Sequence, residues 1–541
     1  MKKHFLSYLE TTIKSSWNAP AMTDIDSNTT YSYGDLAERM ARLQVLFREM
    51  GLKKGDKIAI CGRNSSDWAT TFLAVAAYEA VVVSIMPDFP AESIHSLVEH
   101  SEAKILFAGP VVWKAVDANK MPSLDAGISL EGFDLLFSKQ EKIEKAYNDW
   151  DKSFEKNYPK GFSIEDVKYP TNNFDDLLLI NYTSGTTSSP KGVMLTHRNI
   201  SSNVQFGQEN IPNQPHWNVV SMLPLAHMFG LVFECLYQLA GGCHVFFLSK
   251  TPSPQVLMKA FADVKPYMVL TVPLVIEKIF RKSVFPTIHK PLMRVLWYIP
   301  GIGRIIKNKV KEKVLNAFGG NLKYLIIGGA ALNKEVELCL KAIRFPYCVG
   351  YGMTECAPLL AYEEWRKFKP RSCGKIVSRM EVKINSKNQY RTPGEILVRG
   401  ENTMLGYYKN QEATDDVLIE GGWLRTGDMG IVDKKGNIFI KGRCKNMILG
   451  ASGQNIYPEE IEDKLNSLPG IVESIIVERE GKLVGLVYPE PDLKNAELLM
   501  EQNIIQLNKL IPTFCRISKI ELVEKEFEKT PKRSIKRFLY N

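Results

Sequence analysis

Two textures alternate along the first 440 or so residues of the chain. Short apolar runs bounded by Gly or charge, such as "GDKIAICG" and "AKILFAG", predict strands. Between such runs, "LAERMARLQVLFREMG" has helical spacing and a Gly stop at Gly51. "NLKYLIIGGAAL" predicts a strand ending in Gly328-Gly329, and "RFPYCVGYGMTE" another strand running into a Gly turn. Strands alternating with helices predict an α/β architecture with largely parallel sheets. Ligands of such sheets bind at the carboxyl ends of the strands. The Gly/Ser/Thr-rich turns fall there.

From about Pro393 the pattern shortens. "GEILVRG", "MLGYY" and "GWLRTGDMGIVDKKGNIFIKGR" predict short strands with a hairpin turn at "KKGN". This marks a β-rich subdomain over about 393–441. After "KGRCKN" come a helix "YPEEIEDKLNSL", strands "IVESIIVER" and "LVGLVYP", a helix "NAELLMEQNIIQLNKL" and a strand "SKIELVE". The expected division is a large N-terminal domain over 1–441, a hinge at 442–446 and a small mobile α+β domain over 447–541. Roughly 100 residues is an ordinary domain size.

Composition narrows the class. A hydrophobic content of 45% and a charged content of 24% in 541 residues suit a globular protein of more than one domain. The longest apolar stretches, 72–86 and 229–248, carry Glu79 and Glu234, so neither reaches the ~18 uninterrupted apolar residues of a membrane span. "MKKHFLSYLETTIKSS" starts basic, but Glu10 and polar residues interrupt it before a signal core forms. Nine Cys, with no CxxC pair and no Cys/His cluster at zinc spacing, predict reduced thiols in a cytoplasmic compartment.

The formal net charge of +9 is uneven. Residues 281–313 hold nine Lys/Arg against one acid, Glu312, with Trp297, Tyr298 and Ile299 among them. Such a basic, aromatic-bearing stretch suits an anionic membrane surface. It equally suits an acidic carrier protein.

The stretch "YTSGTTSSPKG", Tyr182 to Gly192, follows the apolar run "LLLINY" and precedes "VMLTHRNI". It is not a Walker loop, because Pro190 precedes Lys191 and Gly192 follows it. The physics is related. Gly185 admits φ > 0, so successive amides can converge on phosphate oxygens. Ser184, Thr186 and Thr187 add hydroxyl donors. Pro190 holds Ser189 extended before Lys191. Thr196 is placed to cap the next helix.

Together "YTSGTTSSPKGVMLTHRN", "VGYGMTECAP", "GGWLRTGDMG" and "GRCKNMI" followed by "SGQNIYPEEIE" resemble the adenylate-forming superfamily of acyl-CoA synthetases, adenylation domains and luciferases. The match runs from about Tyr31 to the C-terminus. The resemblance implies attack of a carboxylate on the α-phosphate of ATP, giving acyl-AMP and pyrophosphate, then capture of the acyl group by a thiol. It implies that Thr183, Ser184, Gly185, Thr186, Thr187 and Lys191 hold phosphates. It sets Gly328, Gly329, Ala330 and Tyr351 against adenine, with Gly352 allowing close approach and Thr354 reaching the α-phosphate. Glu355 would ligate Mg²⁺ with Thr186 near it, as a single carboxylate beside phosphates suits that ion. Asp428 would hold the ribose and Arg443 the nucleotide oxygens, with Lys445 at the hinge. The loop containing Ser452 and Gly453 would meet the phosphopantetheine of CoA. His227 would border the acyl carboxylate.

The stretches "FGLVFECLYQLAGG" and "YMVLTVPLVIEKIF" would line the acyl site by resemblance. They are long and apolar, which selects a fatty chain over acetate. The chain looks most like a bacterial long-chain fatty acid–CoA ligase. A ligase loading acyl carrier protein, or a non-catalytic protein on the same fold, are the alternatives. Nucleic acid is not expected, because the phosphate-rich ligand already has its site. One departure stands out. The family's tail lysine aligns with Ser534, while Ile535 and Arg537 match, and Lys532 is expected to supply the missing cation.

Overall fold

The computed structural model describes residues 2–540 except 184–189, 251, 450–454, 492, 494 and 531–534. Among the described residues, one sheet runs in the order 406–407, 191–196, 177–183, 81–85, 57–61, 105–108, 126–129 and 135–138. Its five central strands are parallel and its two flanks antiparallel. A second runs 347–349, 324–327, 268–271, 218–221, 244–247, 20–24 and 29–32. All its pairings are parallel except the last. The α/β architecture with parallel-rich sheets is therefore as expected.

The local reasons are visible in the sequence. Val81–Ile85 and Ile105–Ala108 are buried at every position, as parallel strands covered on both faces must be. The helix Tyr33–Glu49 starts with a reciprocal Ser32/Asp35 cap and buries Leu36, Met40, Leu43 and Phe47 along one face. Gly51 follows at φ 84°, where a side chain would strain the turn. One apolar core joins both large sheets.

The antiparallel sheet that follows pairs 380–385, 394–400, 423–432 and 418–419, with 438–443 alongside. Its first strand, Met380–Asn385, lies ahead of Pro393. That strand alternates apolar with charged side chains and takes its register from Gly394–Gly400, a long-range partner. Beyond it, strands Ile471–Arg479, Lys482–Pro489 and Ile517–Leu522 form a sheet with helices Pro458–Leu465 and Ala496–Leu510. These residues have apolar clusters of their own.

Among the described residues, polar contacts tie them to the larger unit. Arg281 donates to the carbonyls of Asn466 (2.6 Å) and Ile471 (2.8 Å). Asn333 Nδ2 donates to Ser467 Oγ at 2.8 Å, and Arg371 pairs with Asp463 at 2.9 Å. Among the described residues no helix is long and apolar enough to cross a membrane.

The chain start is sewn to the core by two neutral histidines. His4 caps the helix Phe5–Ser15, its Nδ1 accepting from the Leu6 N–H at 3.2 Å. Its ring lies 5.1 Å from that of His197 and 5.2 Å from that of Phe174. Burial drives His4 down to about 4 and His197 to about 3. An unfolded chain takes up these protons near pH 6.5, and the folded one resists until its own lower values. Stability contributed by these rings is thus complete above pH 6.5 and lost as pH falls toward 4. Each ring should account for ~2 kcal/mol by pH 5. The thermal midpoint should fall more steeply between pH 7 and 5 for wild type than for His197→Phe. Equal slopes would refute the assignment.

Candidate active site

Four neighbouring parallel strands of the second sheet end on one side, and their exits carry most of the expected residues that are described. After 218–221 comes the turn with His227. After 268–271 comes Pro273. After 324–327 come Gly328, Gly329 and Ala330. After 347–349 come Tyr351 to Glu355. This is the carboxyl edge at which parallel sheets bind ligands.

Glu355 sits in a single helical turn, Thr354–Cys356, beside a short strand, Tyr351–Gly352. The turn is clamped from the helix His197–Asn210, which begins with the Thr196/Asn199 cap. Asn203 of that helix donates to the Cys356 carbonyl (3.2 Å) and accepts from the Leu359 N–H (2.9 Å). Gly352 has no room for a side chain, because a Cβ there would lie 2.3 Å from the Pro358 carbonyl oxygen.

Lys191 begins the strand Lys191–Thr196, opposite Thr183. Its Nζ lies over the Tyr407 ring, 4.8 Å from the centroid. The Tyr407 hydroxyl donates to Glu355 Oε1 at 2.9 Å. Burial and the neighbouring Glu355 push this phenol up, so it remains a donor. Tyr407 therefore holds the cation and the carboxylate beside one another. The sequence reading named "MLGYY" as a strand without this role.

A second cluster adjoins the first. Asp428 lies on the strand Trp423–Val432, directly across from Arg443. Asp428 Oδ2 accepts from the Tyr351 hydroxyl at 2.6 Å, and Oδ1 pairs with Arg443 Nε at 2.9 Å. Burial raises the Asp428 carboxyl, against the pull of Arg443 and the Tyr351 hydroxyl. Arg443 keeps 60% of its side chain exposed, so the pair has one wet side. Glu355 acts electrostatically on both members, raising the Asp428 carboxyl and the Arg443 guanidinium.

The His227 turn is built from buried polar groups that the sequence reading missed. Asn64 donates to the Leu223 carbonyl (2.8 Å) and accepts from the Leu225 N–H (2.9 Å). Asn181, on the strand Leu177–Thr183, donates to the Ala226 carbonyl at 2.9 Å. Glu234, fully buried on the π-helical run Gly230–Leu236, accepts from the Met222 (3.0 Å) and Leu223 (2.9 Å) N–H groups. His227 Nδ1 in turn accepts from the Phe229 N–H at 3.3 Å. Phe229 packs so close to Gly328 that a Cβ there would meet its ring at 3.0 Å.

Of the expected residues, Lys191 and Glu355 meet through Tyr407, and Tyr351, Asp428 and Arg443 form a second connected set, with Thr183 paired to Lys191. His227, Gly329, Ala330, Gly352 and Thr354 stand at the same strand exits. Ser184, Gly185, Thr186, Thr187, Ser452, Gly453 and Lys532 lie outside the described residues. Among the described residues no three metal-ligating side chains cluster.

Three sheets contribute charged groups to this region: Lys191 from the first, Glu355 from an exit of the second and the Asp428–Arg443 pair from the antiparallel sheet. The AMP-binding enzyme family model matches residues 9–408, and the chain belongs to that family. It is similar to long-chain-fatty-acid–CoA ligase 1 of Saccharomyces cerevisiae, 27% identical over 92% of this chain and 78% of the relative. It is also similar to 4-coumarate–CoA ligase 3 of Oryza sativa subsp. japonica, 28% identical over 86% and 79%. An anthranilate CoA ligase in complex with anthranoyl-AMP superposes with a TM-score of 0.80 at 18% identity, over 100% of this chain and 96% of that one. ATP-bound MatB from Rhodopseudomonas palustris gives 0.78 at 21%, over 100% and 98%. These two share the fold.

Glu234 offers a test of how the His227 turn is held. Burial raises its carboxyl well above the usual range, so the folded protein favours the neutral acid. Its contribution to stability is then greatest at low pH and weakens as pH rises above the unfolded value. Glu234→Gln keeps a neutral acceptor for both N–H groups, whereas Glu234→Ala strands them at about 1–3 kcal/mol each. In urea denaturation at pH 8, Gln should match or exceed wild type and Ala should fall below it. Equal losses in both variants would show that the ionised carboxylate is required.

Proposed function

We propose that this protein activates a long-chain fatty acid with ATP to an acyl-AMP and transfers the acyl group to the thiol of CoA. The observation that carries the reading is the join of Lys191, Tyr407 and Glu355 beside the Tyr351–Asp428–Arg443 cluster. A polyanionic triphosphate beside a second anion needs cations and aimed donors held in advance. A fatty carboxylate oxygen attacks the α-phosphorus, the bond to the β-phosphate oxygen breaks, and pyrophosphate leaves. The thiolate of CoA then attacks the acyl carbon, and AMP departs with the bonding pair.

Lys191, together with the Thr183–Thr187 loop, would steady the β- and γ-phosphates. Asp428 would accept from the ribose hydroxyls and Arg443 would reach nucleotide oxygens from its exposed side. Tyr351, Gly329 and Ala330 would bound the adenine, and Thr354 the α-phosphate. His227 would border the acyl carboxylate, and the Ser452–Gly453 loop would receive the phosphopantetheine arm. Glu355 and Thr186 would hold Mg²⁺, which when bound offsets charge on the phosphate oxygens.

Two features support an apolar acid over an amino acid. The runs Gly230–Leu236 and Met268–Ile279 are dominated by apolar side chains. Their two acids are already engaged, Glu234 by the Met222 and Leu223 amides and Glu277 by the Asn333 N–H at 2.9 Å. The domain limits proposed are 1–441, a hinge at 442–446 and a mobile unit at 447–541, in keeping with their polar contacts.

ATP–pyrophosphate exchange tests the reading, with acids from acetate to oleate and with coumarate and benzoate. Oleate or palmitate should drive exchange best, and Glu355→Gln should lower it by roughly a hundredfold, ~3 kcal/mol. Exchange driven only by coumarate or benzoate would overturn the chain-length assignment. A variant at wild-type rate would overturn the role of Glu355.

The tail allows a narrower prediction. Arg537 pairs with the buried Glu462, which also accepts from the Ile476 N–H at 2.6 Å, and Lys536 pairs with Glu528 at 3.3 Å. With Arg537 anchored and Lys536 engaged, Lys532 is the tail cation proposed to serve adenylation. Lys532→Ala should slow acyl-AMP formation at least tenfold, ~1.4 kcal/mol. Thioester formation from supplied acyl-AMP should change little. Loss with Lys536→Ala alone would move the role to Lys536.

A further inference from the structure

Residues 281–313 hold nine cations against one acid, so this segment alone carries +8 of the chain's formal +9. After the end of the helical run Pro273–Ile288 it folds as two helices, Pro291–Leu296 and Ile302–Ala317, joined by a tight elbow. Trp297 is buried at the elbow and Gly303 packs on its carbonyl, where a Cβ would lie 2.3 Å from the oxygen. Lys307 lies over the Trp297 ring, 5.3 Å from the centroid. The elbow is a built corner.

The second helix already has an inward seam. Gly303, Val310 and Val314 are buried, and Ile306 is half-buried. Yet Ile302 and Ile305, one turn apart on another face, are exposed. The first helix repeats the pattern. Met293 and Leu296 turn partly inward, while Leu292 is 67% exposed and Val295 beside it is also exposed. At the corner Tyr298 is 82% exposed. The inward seam seats the helices, so folding does not require this second, outward apolar stripe. A contiguous exposed apolar surface rimmed by polar groups marks an interaction site.

The charge around the stripe says what kind. The cations at the ends of the segment are occupied, Arg281 by the Asn466 and Ile471 carbonyls and Lys313 by the Ser283 carbonyl at 2.6 Å. Lys290, Arg294, Arg304 and Lys309 flank the apolar corner, are exposed, and enter no ion pair among the described residues. Apolar tips with long cationic side chains beside them match the boundary of an anionic bilayer. The tips enter the acyl region and the cations stay with the headgroups.

We propose that the elbow over residues 290–311 is a docking surface for anionic lipid bilayers. It follows directly from the helical run Pro273–Ile288, so on the fatty-acid reading above it would bring the acyl site to the membrane where such acids partition. Only that purpose rests on the reading. The docking itself rests on the exposed stripe and the unpaired cations.

The test is co-sedimentation of the full chain, without ATP or acid, with phosphatidylcholine vesicles made with and without phosphatidylserine. Wild type should bind the phosphatidylserine vesicles and release them as salt rises from about 0.1 M to about 1 M, where screening shortens from about 10 Å to about 3 Å. Arg294→Glu/Arg304→Glu and Tyr298→Ser/Ile302→Ser should each weaken binding at least tenfold, with unchanged circular dichroism and thermal midpoint. Equal binding to pure phosphatidylcholine, or retention in both double variants, would overturn the proposal. So would sedimentation velocity showing a dimer that Tyr298→Ser/Ile302→Ser dissociates, which would make a second copy the occupant. Vesicle binding with no fatty-acid-driven exchange would leave docking standing and remove the substrate reading. Exchange without vesicle binding would do the reverse.

Discussion

The site depends on a single hydroxyl between two sheets. Tyr407 belongs to a two-residue strand at the edge of the first sheet, paired with Val193. Glu355 stands at an exit of the second. The Tyr407–Glu355 hydrogen bond crosses that seam, and the same ring receives Lys191 on its face. A cation and a carboxylate left to themselves would collapse into an ion pair that neutralises both. Here the ring gives the ammonium a partner and the phenol gives the carboxylate another. The two charges stay near one another with capacity left for a third party. A hydrogen bond to a charged group is worth ~1.5–3 kcal/mol, enough to fix such a geometry.

Around this charged seam the protein keeps its other ionisable groups neutral or satisfied. Burial drives Glu234 toward the acid and His4 and His197 toward neutral imidazoles. Their work is to hold backbone or pack, and a charge there would cost more than local hydrogen bonds return. Asp428 is intermediate. It is buried, but Arg443 and Tyr351 each take one of its oxygens. The contrast separates supports from working groups, since the former are sealed and the latter keep a wet or shared side.

The legibility of the fold followed the range of the interactions. Alternation of short apolar runs with helical spacing, the Gly51 stop, the Thr196 cap and the strand–helix order of residues 458–522 all rest on local chemistry. They were readable in the sequence. So were the ordered motifs containing Lys191, Glu355 and Asp428. Asn64, Asn181, Glu234 and Tyr407 were not. Asn64 meets Leu225 across 161 positions, and Tyr407 meets Glu355 across 52. An isolated Asn, Glu or Tyr in an apolar run gives no sign of the backbone or charge it will meet. The strand Met380–Asn385 escaped for the same reason, because its register belongs to a partner. The 281–313 segment was legible as charge but not as surface. Folding engages Arg281, Lys307 and Lys313 and leaves the corner cations unpaired.

That partition bears on how the two ends of the molecule communicate. Arg281 closes the C-terminal end of the helix Pro458–Leu465, taking the Asn466 carbonyl that the helix leaves unpaired. The same element then runs through Phe285–Ile288 into the elbow. Arg371 links Asp463 on that helix to the buried Glu337 of the larger unit, at 2.9 and 3.5 Å. These ties are polar, and Arg371 is 40% exposed, so its pair with Asp463 is worth little in water. Weak ties between separately cored units permit displacement at low cost. An apolar interface would have locked them.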